Sequence, residues 1–226
     1  MQTGYQCGML WGSSLAVGTE SFRRYGNSGQ AIVSAIEGTQ HIMESFVNRT
    51  GSADCCDVTG CDFKSKFSIV KYMITGKFLS CFRLAGKWAP EAIQSARDGL
   101  SREQSGLPEK PSSCASKVIR NMGASDEEII MVSGFAGGLG LSGNGCGALG
   151  AAVWYRTLKM AREQDKPKSL MSNPLTRKML ENFYAATGYE MLCHEITGKR
   201  FNTVDEHTEF INNGGCEKLI NALAQP

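Results

Sequence analysis

Apolar residues recur along much of this chain at three- and four-residue intervals, and the polar residues between them carry helix start and stop signals. In "PSSCASKVIRNMG", Cys114, Val118 and Met122 fall one turn apart, and Gly123 marks a stop. "SDEEIIMVSGF" places Ser125 three residues before Glu128, a capping box that opens the next helix. The run from Gly147 to Lys159 reads as a third helix. In "NPLTRKMLENFYAATG", Asn173 is the expected N-cap, Pro174 lies in the first turn and Gly188 ends the helix. Thr203 and Glu206 form a second capping box, and Gly215 precedes a last helix. His41, with Met43 and Phe46, sits on a helical face. No long period-two alternation occurs, so the pattern predicts an all-α fold.

The same text recurs in two places. "FVNRTGSADCCDVTG" surrounds Cys55, and "FYAATGYEMLCHEITG" surrounds Cys193. Each has an aromatic residue, Thr-Gly, a short spacer, then a cysteine followed by an acidic residue and Thr-Gly. Upstream, Cys7 opens "CGMLWGSSLAVG" and Cys146 opens "CGALGAAVW"; downstream, Cys81 lies in "CFRLA" and Cys216 in "CEKLI". The separations match too: Cys7 to Cys55 is 48 residues against 47 for Cys146 to Cys193, and the next steps are 26 and 23. This predicts a helical bundle built from two tandem copies of a cysteine-bearing multi-helix unit, packed as one globular body. The copies span 1–100 and 109–226, joined by the linker "SREQSGLPEKPSS". Cys114 has no counterpart in the first copy, which carries Cys56 and Cys61 instead. A homodimer that supplies the absent ligand from a second chain is one expectation.

Composition narrows the classes. With 226 residues, 42% hydrophobic content and mixed charges, the expectation is a soluble globular protein. The net charge of +2, without basic runs, argues against nucleic acid as a partner. No apolar stretch reaches the ~20 residues of a membrane helix, and no secretory leader pattern is present. Nine cysteines are the unusual feature. An odd number cannot all pair within one chain, so reduced thiols in the cytoplasm are the expectation.

Cys146 follows the glycine-rich "GFAGGLGLSGNG" and precedes a helical run. Backbone N–H groups around Gly143, Gly145 and Gly147 are therefore candidates to approach a sulfur or an inorganic cluster. The small residues Gly147, Gly150 and Ala151 also suit close helix packing, which explains the lack of bulk but not the cysteine. No Cys-x-x-Cys pair exists for zinc or a thioredoxin-type dithiol. Cysteines on separate helices can instead converge on an iron–sulfur cluster. Two alternatives stand beside it: a metal-free thiol–disulfide oxidoreductase or redox sensor, and a binding module with buried, inert cysteines. His194, next to Cys193, is a weaker candidate to ligate or tune a cluster; His41 and His207 read as structural. The glycine run lacks a preceding strand and a Gly-Lys-Ser/Thr ending, so a phosphate loop is not expected.

The second-half text, "CASKVIRNMG…DEEIIMVSGFAGGLGLSGNGCGALGAAVW…CHEITG…CEKLI", resembles the redox-active family named for its C…GCAxxG…C…C pattern. Gly147 stands where that name has alanine. The resemblance places Cys114, Cys146, Cys193 and Cys216 on the family's four cysteines. It makes the first half a degenerate copy in which Cys7, Cys55 and Cys81, with Cys56 or Cys61, form a second candidate site. The family is similar to the non-haem iron portion of split-Soret cytochromes. That likeness implies an iron–sulfur cluster, [2Fe–2S] or [4Fe–4S], and electron transfer to a protein partner.

Overall fold

A computed structural model describes residues 5–101, 108, 110–163 and 174–225. Among them every regular element is helical, as the pattern predicts: α1 (Gly8–Tyr25), α2 (Gly29–Thr50), α3 (Cys55–Thr59), α4 (Lys66–Ile74), α5 (Phe78–Leu100), α6 (Cys114–Asn121), α7 (Asp126–Met131), α8 (Gly147–Glu163), α9 (Pro174–Thr187), α10 (Cys193–Thr197), α11 (Val204–Asn212) and α12 (Glu217–Ala224). Most of the linker, and the Asn173 cap, lie outside the described residues.

The helices begin where side chains can satisfy free N–H groups. Ser28 accepts from Ala31 N–H at α2, and Ser113 accepts from Ser116 N–H at α6. At α7 the capping box forms in both directions between Ser125 and Glu128. At α11 only half of it forms. Thr203 caps Glu206 N–H, but the Glu206 carboxylate accepts from Asn202 N–H at 2.8 Å. Gly51 and Gly198 end α2 and α10 in the left-handed region that a side chain disfavours. Helix α8 runs to Glu163, past the Lys159 end expected from the apolar pattern. Arg162 in its last turn reaches back to buried Glu128 at 2.5 Å. Burial raises the Glu128 pKa, but the Ser125 hydrogen bonds of the capping box, followed by Arg162, outweigh it and leave the carboxyl lowered.

One core runs through both halves. Leu10, Phe46 and Trp88 from the first share it with Ile119, Phe135, Phe183 and Leu223 from the second. Trp11 of α1 stands edge-on to Phe135 with ring centroids 4.7 Å apart. Its ring also covers Gly150, where an added Cβ would lie 2.5 Å from the indole. The glycines after Cys146 thus make room for an aromatic ring from the first half. Gly147 is tighter still, since a Cβ there would fall 1.8 Å from the Phe135 carbonyl oxygen.

Two glycine substitutions should act in opposite directions. Gly147→Ala forces the backbone apart and should cost at least about 1–3 kcal/mol. Gly12→Ala, in the exposed middle of α1 with nothing within 4 Å, should stabilise by about 0.5–1 kcal/mol. Urea denaturation of the two variants reads both signs.

Candidate functional site

Two short backbone ladders position the thiols. Cys146 N–H donates to the Met191 carbonyl at 2.9 Å, and Cys193 N–H donates to the Asn144 carbonyl at 2.6 Å. This antiparallel contact brings the start of α8 against the start of α10. In the first half, Cys7 N–H donates to Ala53 O at 2.8 Å and Cys55 N–H to Tyr5 O at 3.1 Å, joining the starts of α1 and α3 in the same way. The likeness continues outward. Thr59 and Thr197 each return a hydroxyl to the carbonyl of Cys55 or Cys193, at 2.6 and 2.7 Å. Phe63 meets Tyr72 as Phe201 meets Phe210, at centroid distances of 6.1 and 5.2 Å.

Cys114, Cys146, Cys193 and Cys216 come from the starts of α6, α8, α10 and α12 and line one small cavity. Its volume is about 10 Å³, room for about one water. The rest of the wall is mainly apolar, with Ile211 and Leu219 among it. The first three cysteines are buried and Cys216 is half-buried. Cys216 caps α12 in the left-handed region at φ 59°, a conformation that costs a non-glycine residue of order 1–3 kcal/mol and that follows the Gly214-Gly215 turn.

Burial pushes all four thiols up, Cys146 and Cys216 to about 12, with neighbouring thiols adding repulsion at Cys146, Cys193 and Cys216. No cation opposes this. The opposing contributions come from hydrogen-bond donors near the sulfurs: N–H groups of Gly137 and Ala148 at Cys114 and of Leu149 at Cys146, and the Thr197 hydroxyl at Cys193. The glycine loop thus does approach a thiol, but through Gly137. Gly143 N–H is committed to the Gly137 carbonyl at 2.9 Å. Gly145 faces Gln6 and Trp11, and Gly147 alone of the three borders the cavity.

The first-half thiols also gather. Cys7, Cys81, Cys56 and Cys61 all act on Cys55, whose thiol is pushed up to about 11 chiefly by burial. Cys81 lies within α5, whereas Cys216 caps α12; this is the physical form of the three-residue difference in spacing. Tyr72 Oη is 3.1 Å from Cys81 Sγ, and Ser68 Oγ is 3.6 Å from Cys61 Sγ. Cys56 is within 3.6 Å of the Asp57 carboxylate. Helix α4 buries none of its residues, whereas α11 buries Val204, His207, Thr208 and Ile211. The first group is therefore the less enclosed. A cleft of about 590 Å³ walled by Trp11, Phe135 and Trp154 lies between the groups and is bordered by Cys55 and Cys146. Among the described residues, no three His, Cys, Asp or Glu side chains are arranged to hold a single metal ion.

His194, a neighbour of Cys193 in sequence, is tied to the glycine loop through Nδ1 and the Gly143 carbonyl at 2.7 Å and does not line the cavity. His207 does line it. Sequence reading, which takes His207 beside Glu206 and Glu209 as structural, did not place it at the site. The available signal was its position three residues before Phe210, on the apolar stripe of α11.

Raised thiol pKa values have a consequence for stability. The unfolded chain ionises its thiols near 9.0, while the folded one holds Cys146 and Cys216 neutral to about 12. Between these values the unfolded state binds fewer protons, so stability falls as pH rises. Metal-free protein should show a flat urea midpoint from pH 7 to 8.5 and a steep fall above 9. Replacing Cys146 and Cys216 by alanine should flatten that fall.

A family described as "Putative redox-active protein (C_GCAxxG_C_C)" matches residues 111–225. No curated protein and no solved structure matches the chain.

Proposed function

The chain belongs to the redox-active C_GCAxxG_C_C family, and from that premise we propose that Cys114, Cys146, Cys193 and Cys216 hold an iron–sulfur cluster and that the protein passes electrons to a protein partner. The observation that carries this reading is the convergence of four thiols from four separate helices on one buried cavity with apolar walls. Soft sulfur donors without nearby carboxylates suit iron–sulfur chemistry. When bound, such a cluster supplies one-electron transfer without proton or hydride chemistry in the protein. The cavity is too small for a cluster with the thiols as they stand, so loading requires these side chains to rotate outward. Half-buried Cys216, on its glycine turn, is the member best placed to move. The N–H groups of Gly137, Ala148 and Leu149 already lean toward the sulfurs and favour their charged form.

The raised thiol pKa values also weigh between readings. Thiol–disulfide exchange needs a thiolate at working pH, and burial without a cation opposes one here. Metal binding removes those protons as part of its own free energy. All nine cysteines are unpaired, which accords with a reducing compartment such as the cytoplasm. No helix among the described residues is long and apolar enough to cross a membrane. The gathered Cys7, Cys55, Cys61 and Cys81 form a second candidate centre, and the cleft bordered by Cys55 and Cys146 is a short route between the two. Matching ladders at both sites support descent of the halves from one duplicated unit.

Anaerobic reconstitution with iron and sulfide tests the primary site. Cys146→Ser and Cys193→Ser should each lose roughly tenfold or more of the iron affinity, while Cys56→Ser should keep it. Cys216→Gly should lose iron yet stay within about 1 kcal/mol of the parent stability, because glycine relieves the left-handed backbone cost. Equal iron binding by all four variants would contradict the assignment.

A further inference from the structure

His207 is 1% exposed and forms part of the wall of the thiol cavity. Its Nδ1 has no hydrogen-bond partner. Nδ1 stands unpartnered in an apolar wall, where Phe201 stands edge-on to the ring at a centroid distance of 5.0 Å. A histidine that ligates a metal likewise keeps one ring nitrogen free of other partners for the metal. Nothing about the helix requires an imidazole. In α4 the place corresponding to His207, three residues before the aromatic partner of Phe63, is Ile69.

We propose that Nδ1 of His207 is a donor atom of the centre, making it a mixed thiolate–imidazole site rather than one of cysteines alone. This rests on the metal-centre reading above. The centre then draws on five donors around one cavity, the four thiols of that reading and this imidazole.

The test uses the full chain, reconstituted anaerobically with ferrous iron and sulfide, reduced, and studied by pulsed electron paramagnetic resonance. Natural-abundance protein is compared with protein carrying ¹⁵N-labelled histidine. The expected result is a coupling from a directly bound nitrogen that changes with the label, persists in His194→Ala and vanishes in His207→Phe, which keeps the ring volume. If His207→Phe does not fold, His41→Ala and His194→Ala assign the coupling by elimination, since the chain has three histidines. A cluster that forms without any histidine coupling, or with one that survives His207→Phe, overturns this proposal alone. Failure of the parent protein to take up iron overturns it together with the metal-centre reading.

Discussion

The site depends on two backbone hydrogen bonds, Cys146 N–H to Met191 O and Cys193 N–H to Asn144 O. They join two cysteine segments 47 residues apart in sequence and aim the starts of α8 and α10 at one point. Neither segment could hold this position by side-chain packing alone, because Gly143, Gly145 and Gly147 offer nothing to pack. Their lack of side chains leaves room for Arg200 at Gly143, Gln6 at Gly145 and the Phe135 carbonyl at Gly147. A Cβ at Gly147 would run into the Phe135 carbonyl, and the Trp11 ring fills the space beside Gly145 and Gly150. Backbone polar groups buried this deeply must be paired, so the ladder and the core specify each other.

Around that clamp the chemistry is set by what is absent from the wall. The thiols meet apolar side chains and a neutral imidazole, and burial with mutual repulsion keeps them protonated. Thiols held protonated in this way are poor nucleophiles, because the thiolate is the reactive form. Cys216 adds a left-handed backbone at φ 59° after two glycines, a conformation that costs a non-glycine residue.

Much of this was legible in the sequence, and the exceptions have physical causes. Capping residues and apolar spacing located α6, α7, α9 and α11, because those signals act within a few residues of where they are read. The four second-half cysteines were recognisable as a set from their spacing and from the family resemblance. The direction in which a glycine faces was not legible: Gly145 turns toward Trp11, and Gly137 rather than Gly143 serves a sulfur. That choice is made by φ signs along a loop in which even Leu139 and Leu141 are left-handed. His207 read as structural, and its place in the cavity wall comes from the packing of α11 against the thiols, a tertiary contact that local pattern does not carry. The one-turn displacement of Cys81 within α5 appeared in the sequence only as a three-residue difference.

The two halves share ladders, hydroxyl returns and ring pairs, yet enclose their thiols differently. In the second, α11 closes the cavity with His207 and Ile211; in the first, Tyr72 and Ser68 approach the sulfurs from a helix that buries nothing. In the proposed function the enclosed set receives a metal cluster. Its most direct measurement is the iron, acid-labile sulfide and visible absorption of protein purified without oxygen. Iron and sulfide are expected in whole-number ratio to the chain, with sulfur-to-iron charge-transfer bands that bleach on reduction. Colourless protein with nine titratable thiols and no uptake of iron or sulfide would contradict it.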